Sequence, residues 1–245
     1  MPAIPPALRR GDFGLSSGQR TYLEGPMTGL LWQIFNVLKE VLNRTIKFPE
    51  LLLTLLGFSA TKKLRLRVVI LRDERGLPLA SNEDAQPAYE EARRVFARMA
   101  GVSVEPAGWR VVTAPHAAPK AALDVHCTDG AWQDDLGAAG GFFRSLMAKS
   151  PSGTLIGYGQ PLTVFVVRSM STHNGCSLGA AADYVTVEAK TLRTTRRLLA
   201  HEVAHACGLW HSKNPANLMA PRGPGEELAH WQAAVLRTSR HVTFF

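Results

Sequence analysis

The sequence predicts an α+β fold, a mixed sheet with helices packed against it, and three observations lead there. Residues 64–71, Leu-Arg-Leu-Arg-Val-Val-Ile-Leu, alternate apolar with charged and then turn wholly apolar, as a strand does on entering a core. Residues 87–100 place Ala88, Ala92, Val95, Phe96 and Met99 at helical spacing, with Gly101 where a helix would end. Further strand-like runs then precede a last long helix, an order that suits a layered sheet. With 245 residues and 46% apolar content the chain can bury a sizeable core, which excludes wholesale disorder and a collagen-like fibre.

In chain order, residues 1–26 are rich in Pro, Gly, Ser and Arg and read as a mobile tail. Residues 30–42 carry apolar side chains at helical spacing, with Gln33, Asn36, Lys39, Glu40 and Asn43 on the other side. Pro49 separates this helix from a second apolar run, residues 51–58. The simplest reading packs the apolar side on the chain's own domain or on a partner. Peripheral contact with a membrane surface through residues 28–58 is the other reading. From residue 61 the texture changes to strands at 64–71, 109–113, 123–127, 162–168 and 184–188, with helices at 87–100 and 138–149. A long helix runs from near Thr191 to Gly208. A closing helix over 226–240 turns Leu228, Trp231, Ala234 and Val235 toward the core. The chain thus divides into a tail and amphipathic extension, 1–60, and a larger domain, 61–245.

Lys and Arg number 28 against 20 Asp and Glu, a formal charge of +8. Twenty of those bases are Arg, scattered along the chain. The excess therefore reads as a solvated basic surface rather than a nucleic-acid site. Three cysteines, Cys127, Cys176 and Cys207, are too few for a disulfide scaffold and too far apart for a cysteine zinc finger. One bridge between Cys127 and Cys176 and three free thiols are both compatible with this spacing. The first ten residues lack the apolar run of a secretory signal, and no stretch offers 18 uninterrupted apolar residues. A cytoplasmic or peripheral-membrane location is expected.

The chemistry lies in His201-Glu202-Val203-Ala204-His205-Ala206-Cys207-Gly208-Leu209-Trp210-His211. Two His at i and i+4 leave one face of a helix a turn apart, so both imidazoles can reach one metal ion. Glu202 is offset around the helix and can stand beside the metal without binding it. Gly208 can take positive φ and turn the chain back, which brings His211 round as a third ligand. Three His and a water make a tetrahedral site with an open position, the arrangement of a catalytic zinc. Given this composition, the full pattern arises by chance in roughly one such chain in thirty thousand.

This pattern, HExxHxxGxxH, resembles the signature of the metzincin zinc endopeptidases. The following stretch, His211-Ser-Lys-Asn-Pro-Ala-Asn-Leu-Met-Ala-Pro221, is similar to the Leu-Met-x-Pro turn of matrixin-type members. The resemblance implies a zincin-like fold: a twisted mixed five-stranded sheet with packed helices, an active-site helix, and a small irregular C-terminal subdomain with a closing helix. Residues 61–208 would form the upper subdomain and 209–245 the lower. Met219 would be the Met-turn residue beneath one catalytic Zn2+, and residues 184–188 the strand that leads to the active-site helix. It also implies a protein or peptide substrate. Three features depart from the matrixins. No Cys precedes Cys127 to serve as a cysteine switch, no His- and Asp-rich stretch lies upstream for further metals, and Ala220 stands where several families place Tyr.

The mechanism implied is metal-assisted peptide hydrolysis, with Glu202 as general base and then general acid. Residues 220–225 would line the wall of the pocket. A zinc-binding, non-proteolytic module that binds an anionic partner or membrane surface is the alternative, but a purely structural site has no need of Glu202. His116, His126, His173, His230 and His241 share no ligand spacing and read as surface or satisfied polar residues. Arg193, Arg196 and Arg197 read as solvated, and Cys207 as a small buried residue.

Overall fold

A computed structural model describes residues 26–127 and 130–245, so the expected tail at 1–26 lies almost wholly outside the described residues. Helices α1 (Pro26–Ile46) and α2 (Phe48–Leu55) precede β1 (Lys62–Arg72), α3 (Asn82–Ala100) and β2 (Val102–Ala117). Short elements follow: α4 (Lys120–Leu123), β3 (Asp124–Val125), α5 (Ala131–Leu136), α6 (Ala138–Leu146) and α7 (Pro151–Ile156). Then come β4 (Leu162–Val167), β5 (Ser169–Met170), β6 (Gly175–Ser177), β7 (Tyr184–Glu188), α8 (Ala189–Thr194) and α9 (Arg197–Ala206). The chain ends with α10 (His230–Arg237) and β8 (Val242–Thr243).

The main sheet has the order β2-β1-β4-β7-β6. Its members run parallel except β6, which pairs antiparallel with β7 and forms the edge. The expected mixed sheet is therefore present, and β8 adds a short sixth strand beside Lys63 and Leu64 of β1. The alternation read in β1 sorts its side chains to two faces. Leu64, Leu66, Val68 and Ile70 pack with α3, α9 and Met219, while Val69 and Leu71 pack with Phe142 and Phe143 of α6. Burial on both faces explains why the strand turns wholly apolar.

Several elements differ from expectation. Helix α3 begins at Asn82, because Ser81 caps it in a box with Asp84; Pro87 lies inside the helix, where its nitrogen cannot donate to the carbonyl four residues before. The strand expected at 109–113 is the second half of the long β2. The run at 123–127 pairs only through Asp124 and Val125, in a separate two-stranded ladder with β5. The long helix expected from Thr191 is two helices, α8 and α9, with Thr195 and Arg196 between them. The closing helix is shorter, with Leu228 and Ala234 buried but Trp231 54% exposed.

The largest correction concerns α1. Its polar side, not its apolar side, packs on the body: Gln33, Asn36, Glu40, Asn43 and Lys47 are all buried. Asn36 donates to the Ala181 carbonyl (3.1 Å), Asn43 to that of Ile156 (2.8 Å), and Lys47 to those of Ser239 (2.7 Å) and Val242 (2.8 Å). The Glu40 carboxylate accepts from the Arg240 amide at 3.2 Å and pairs with Arg44 at 2.7 Å. The reason is hydrogen-bond demand. Irregular segments around residues 179–183 and 237–243 present backbone carbonyls and the buried Arg240, and an apolar helix face would have left them unsatisfied.

Candidate metal centre

Helix α9 carries Arg197, His201 and His205 at i, i+4 and i+8, hence on one face. Gly208, at φ +93°, turns the chain back at its end. That reversal stacks the His211 ring on His201, with centroids 5.4 Å apart, and sets it 4.7 Å from His205. One nitrogen from each of the three rings lies within 4.8 Å of the others. Among the described residues this is the only such group able to hold a metal ion.

Tautomers follow from the partners. His201 Nδ1 lies 2.7 Å from the Leu218 carbonyl and His205 Nδ1 2.7 Å from that of Leu209. A carbonyl can only accept, so both Nδ1 atoms carry the proton and both Nε2 atoms present lone pairs. Those two Nε2 atoms face each other at 3.1 Å. Two lone pairs so opposed repel unless a cation lies between or beside them, and anchoring of Nδ1 on carbonyls is what metal-ligating histidines commonly show. Burial pushes His201 down to about 4 and lowers His205 as well, so both rings are neutral, the ligating form, at neutral pH. This donor set fits a borderline cation such as zinc.

Glu202 lies buried beside this cluster, and burial pushes its carboxyl up to about 8, opposed by the charge of Arg197. Its room comes from the sheet edge. A Cβ on Gly175 of β6 would stand 2.4 Å from Glu202 Oε1, so only glycine leaves space for the carboxyl there. Cys176, the next residue, is joined to Cys127 by a disulfide, which resolves the alternatives left by the spacing. Cys207 is free and buried.

Met219 is fully buried in the turn that follows. Its carbonyl accepts from the Ser212 amide at 2.9 Å, which closes the loop between His211 and the turn. Arg197 donates to the carbonyls of Leu218 (2.7 Å) and Ala220 (2.9 Å), so it is a brace between α9 and this turn rather than a solvated side chain. Arg193 pairs with Asp84 at the surface, and Arg196 is exposed. Arg44 of α1 donates to the Cys207 carbonyl at 2.7 Å and caps the end of α9. A Cβ at Gly208 would meet that guanidinium at 2.3 Å. The sequence reading missed Arg44 and Gly175 altogether. Arg197 had a signal, its position four residues before His201.

These residues border a cleft of about 1200 Å3, whose walls include Gly175, Cys176, Pro221 and Arg222 and, from α1, Glu40 and Arg44. The remaining histidines lie elsewhere. His126 and His173 are exposed beside Asp134 and Thr172, and His241 is buried with Nδ1 2.8 Å from the Gln160 carbonyl.

No protein-family model matches the chain, and no curated protein matches it. Solved structures similar to it include metalloproteinase-II from Bacteroides fragilis, at a TM-score of 0.45 and 11% identity over 70% of this chain and 50% of that one. The zinc-dependent peptidase from Methanocorpusculum labreanum gives 0.41 and 14% over 72% and 94%. A chaperone-substrate complex gives 0.40 and 11% over 64% and 25%. The chain thus spans half the length of the first and a quarter of the last. Likeness of this degree carries no chemistry, which must come from the site itself.

Proposed function

We propose that this chain is a zinc-dependent metalloendopeptidase of metzincin type, in which His201, His205 and His211 hold one catalytic zinc and Glu202 moves the proton. The observation that carries the reading is the facing pair of Nε2 lone pairs, 3.1 Å apart with both Nδ1 atoms anchored, beside a buried carboxyl. When bound, zinc supplies Lewis acidity toward a peptide carbonyl and brings the pKa of water toward ~7.

The side chains do the rest. His201 and His205 are held in the ligating tautomer by Leu218 and Leu209, so no reorganisation precedes binding. Glu202 takes a proton from water as the oxygen joins the acyl carbon, and returns it to the amine nitrogen as the C–N bond breaks. A carboxyl that burial, against the opposing charge of Arg197, raises to about 8 can both accept and release a proton near neutrality. Met219 serves as an apolar floor under the ligands, and residues 220–225 as a wall of the substrate pocket. On this reading residues 61–208 and 209–245 are the two halves of the catalytic domain around the cleft, and 1–60 an extension.

Metal analysis and peptide-library cleavage by wild type and Glu202→Ala test this reading. Both should hold about one zinc per chain, only wild type should cleave, and a chelator should stop it. Zinc-loaded wild type that cuts nothing across a broad library would transfer the site to the non-proteolytic alternative.

A further inference from the structure

The packing of α1 by its polar side leaves an apolar surface with no partner among the described residues. Sixteen large apolar side chains between Met27 and Phe58 are 42–74% exposed. Every charged residue in that span (Lys39, Glu40, Arg44, Lys47, Glu50) is buried or half-buried against the body. The surface continues onto α7, where Leu155 is 79% and Ile156 55% exposed; the backbone carbonyls of Thr154 and Ile156 accept from Lys39 and Asn43 of α1. At roughly half of the 150–200 Å2 that a large apolar side chain can offer, this is on the order of 1,000 Å2, well beyond the patches that monomers ordinarily expose.

We infer that this face beds into the surface of an anionic lipid bilayer, with α1 and α2 lying in the interfacial plane. Three features favour lipid over a second copy of the chain. Protein interfaces, homodimers included, keep about a third of their area polar and form hydrogen bonds across it. Here the exposed face offers almost nothing but hydrocarbon over thirty residues, and Thr45 spends its hydroxyl on the Val41 carbonyl of its own helix. The orientation is fixed, since the polar side is tied down by Asn36, Asn43, Arg44 and Lys47. Charge is the third feature. The chain carries +8, this face exposes none of it, and the exposed Lys149 stands beside the patch just before α7, where it would meet anionic headgroups. No helix among the described residues is long and apolar enough to cross a membrane, and α1, about 30 Å long, has one side committed to protein, so it lies flat. Because Glu40 and Arg44 of the same helix border the cleft that holds His201, His205 and His211, such seating holds that cleft beside the bilayer.

The inference does not rest on the peptidase reading, and its test needs neither zinc nor turnover. The full chain is floated through a density gradient with vesicles of phosphatidylcholine and phosphatidylglycerol (3:1) and with phosphatidylcholine alone. The expected result is flotation with the anionic vesicles, several-fold weaker with the neutral ones. The variant Phe35→Glu/Leu38→Glu/Leu42→Glu changes only exposed positions, so it should fold, and should float at least tenfold less. In Phe35→Trp the added indole should be quenched by brominated lipid. Wild type that stays at the bottom with anionic vesicles overturns the inference. If it then sediments as a dimer that the triple variant dissolves, the face belongs to a second copy. A triple variant that floats as well as wild type overturns it equally.

Discussion

Gly175 offers the sharpest test of how the sheet edge serves the candidate site. In Gly175→Ala the new methyl would stand 2.4 Å from Glu202 Oε1, 2.6 Å from Cγ and 2.7 Å from Cδ, whereas ordinary contact begins near 3.4 Å. The backbone of β6 cannot retreat freely, because Gly175, Cys176 and Ser177 are paired with β7 and Cys176 is tied to Cys127. The carboxyl must therefore move by about 1 Å, and a displacement of that size at a reacting group can cost on the order of 10²-fold in rate. The three atoms nearest the new methyl all belong to Glu202, while the histidines lie on α9 and its return loop, so metal content should be unchanged. The assay is kcat/KM on a cleaved peptide, together with zinc per chain. A fall of about 10²-fold in kcat/KM with about one zinc retained is expected. Full activity would refute the packing argument, and loss of zinc alongside activity would show that the edge strand supports the ligands rather than the base.

Three further outcomes follow from the same contacts. Arg197→Met removes two charge-assisted bonds to the Leu218 and Ala220 carbonyls, at a cost of about 2–3 kcal/mol and a drop of roughly 4–12 °C in Tm. Since Leu218 also anchors His201, zinc affinity measured by chelator competition should fall by about 10- to 100-fold, and an unchanged affinity would separate the turn from the metal site. Asp183 is pushed up to about 6 by burial, against Arg240 at 2.6 Å. Its native pKa lies above the unfolded value, so its contribution is fully present below about pH 4 and is lost as pH rises through 6. Relative to Asp183→Asn, wild type should lose at most about 3 kcal/mol between pH 4 and pH 7.5 in urea melts, and a constant difference would count against the shift. Denatured without reductant, the chain should expose one reactive thiol, Cys207, and three after reduction; opening the Cys127–Cys176 loop should cost up to about 4 kcal/mol.

The histidine cluster was legible because its geometry is local. A spacing of i, i+4 fixes two side chains on one helical face whatever the rest of the chain does, and a glycine at the helix end needs only one residue's φ. The sheet was legible where strands were long and apolar, as in β1 and β4. Edge strand β6 was not: three residues, Gly-Cys-Ser, carry no period, and their pairing is decided by β7 and by a disulfide from 49 positions away. The break between α8 and α9 was hidden for a related reason. Apolar spacing continues through Leu192, Leu198 and Leu199, all packed into one core, although the backbone there is not continuous helix.

The α1 helix shows a different limit. Periodicity reports that a helix has two unlike faces, but which one turns inward depends on what the body offers. An apolar stripe packs inward when the docking surface is apolar. Here the docking surface is built from carbonyls of residues 181, 207, 235, 239 and 242 and from the buried guanidinium of Arg240, and each needs a partner. An orphaned buried polar group costs about 1–3 kcal/mol, and several would be orphaned together, against about 1.5–3 kcal/mol gained for each apolar side chain covered. Docking by the polar side avoids the first cost and forgoes the second gain. A third phase resolves the conflict. If the apolar face has its own apolar medium to enter, both faces are satisfied at once, and the helix need not choose between them.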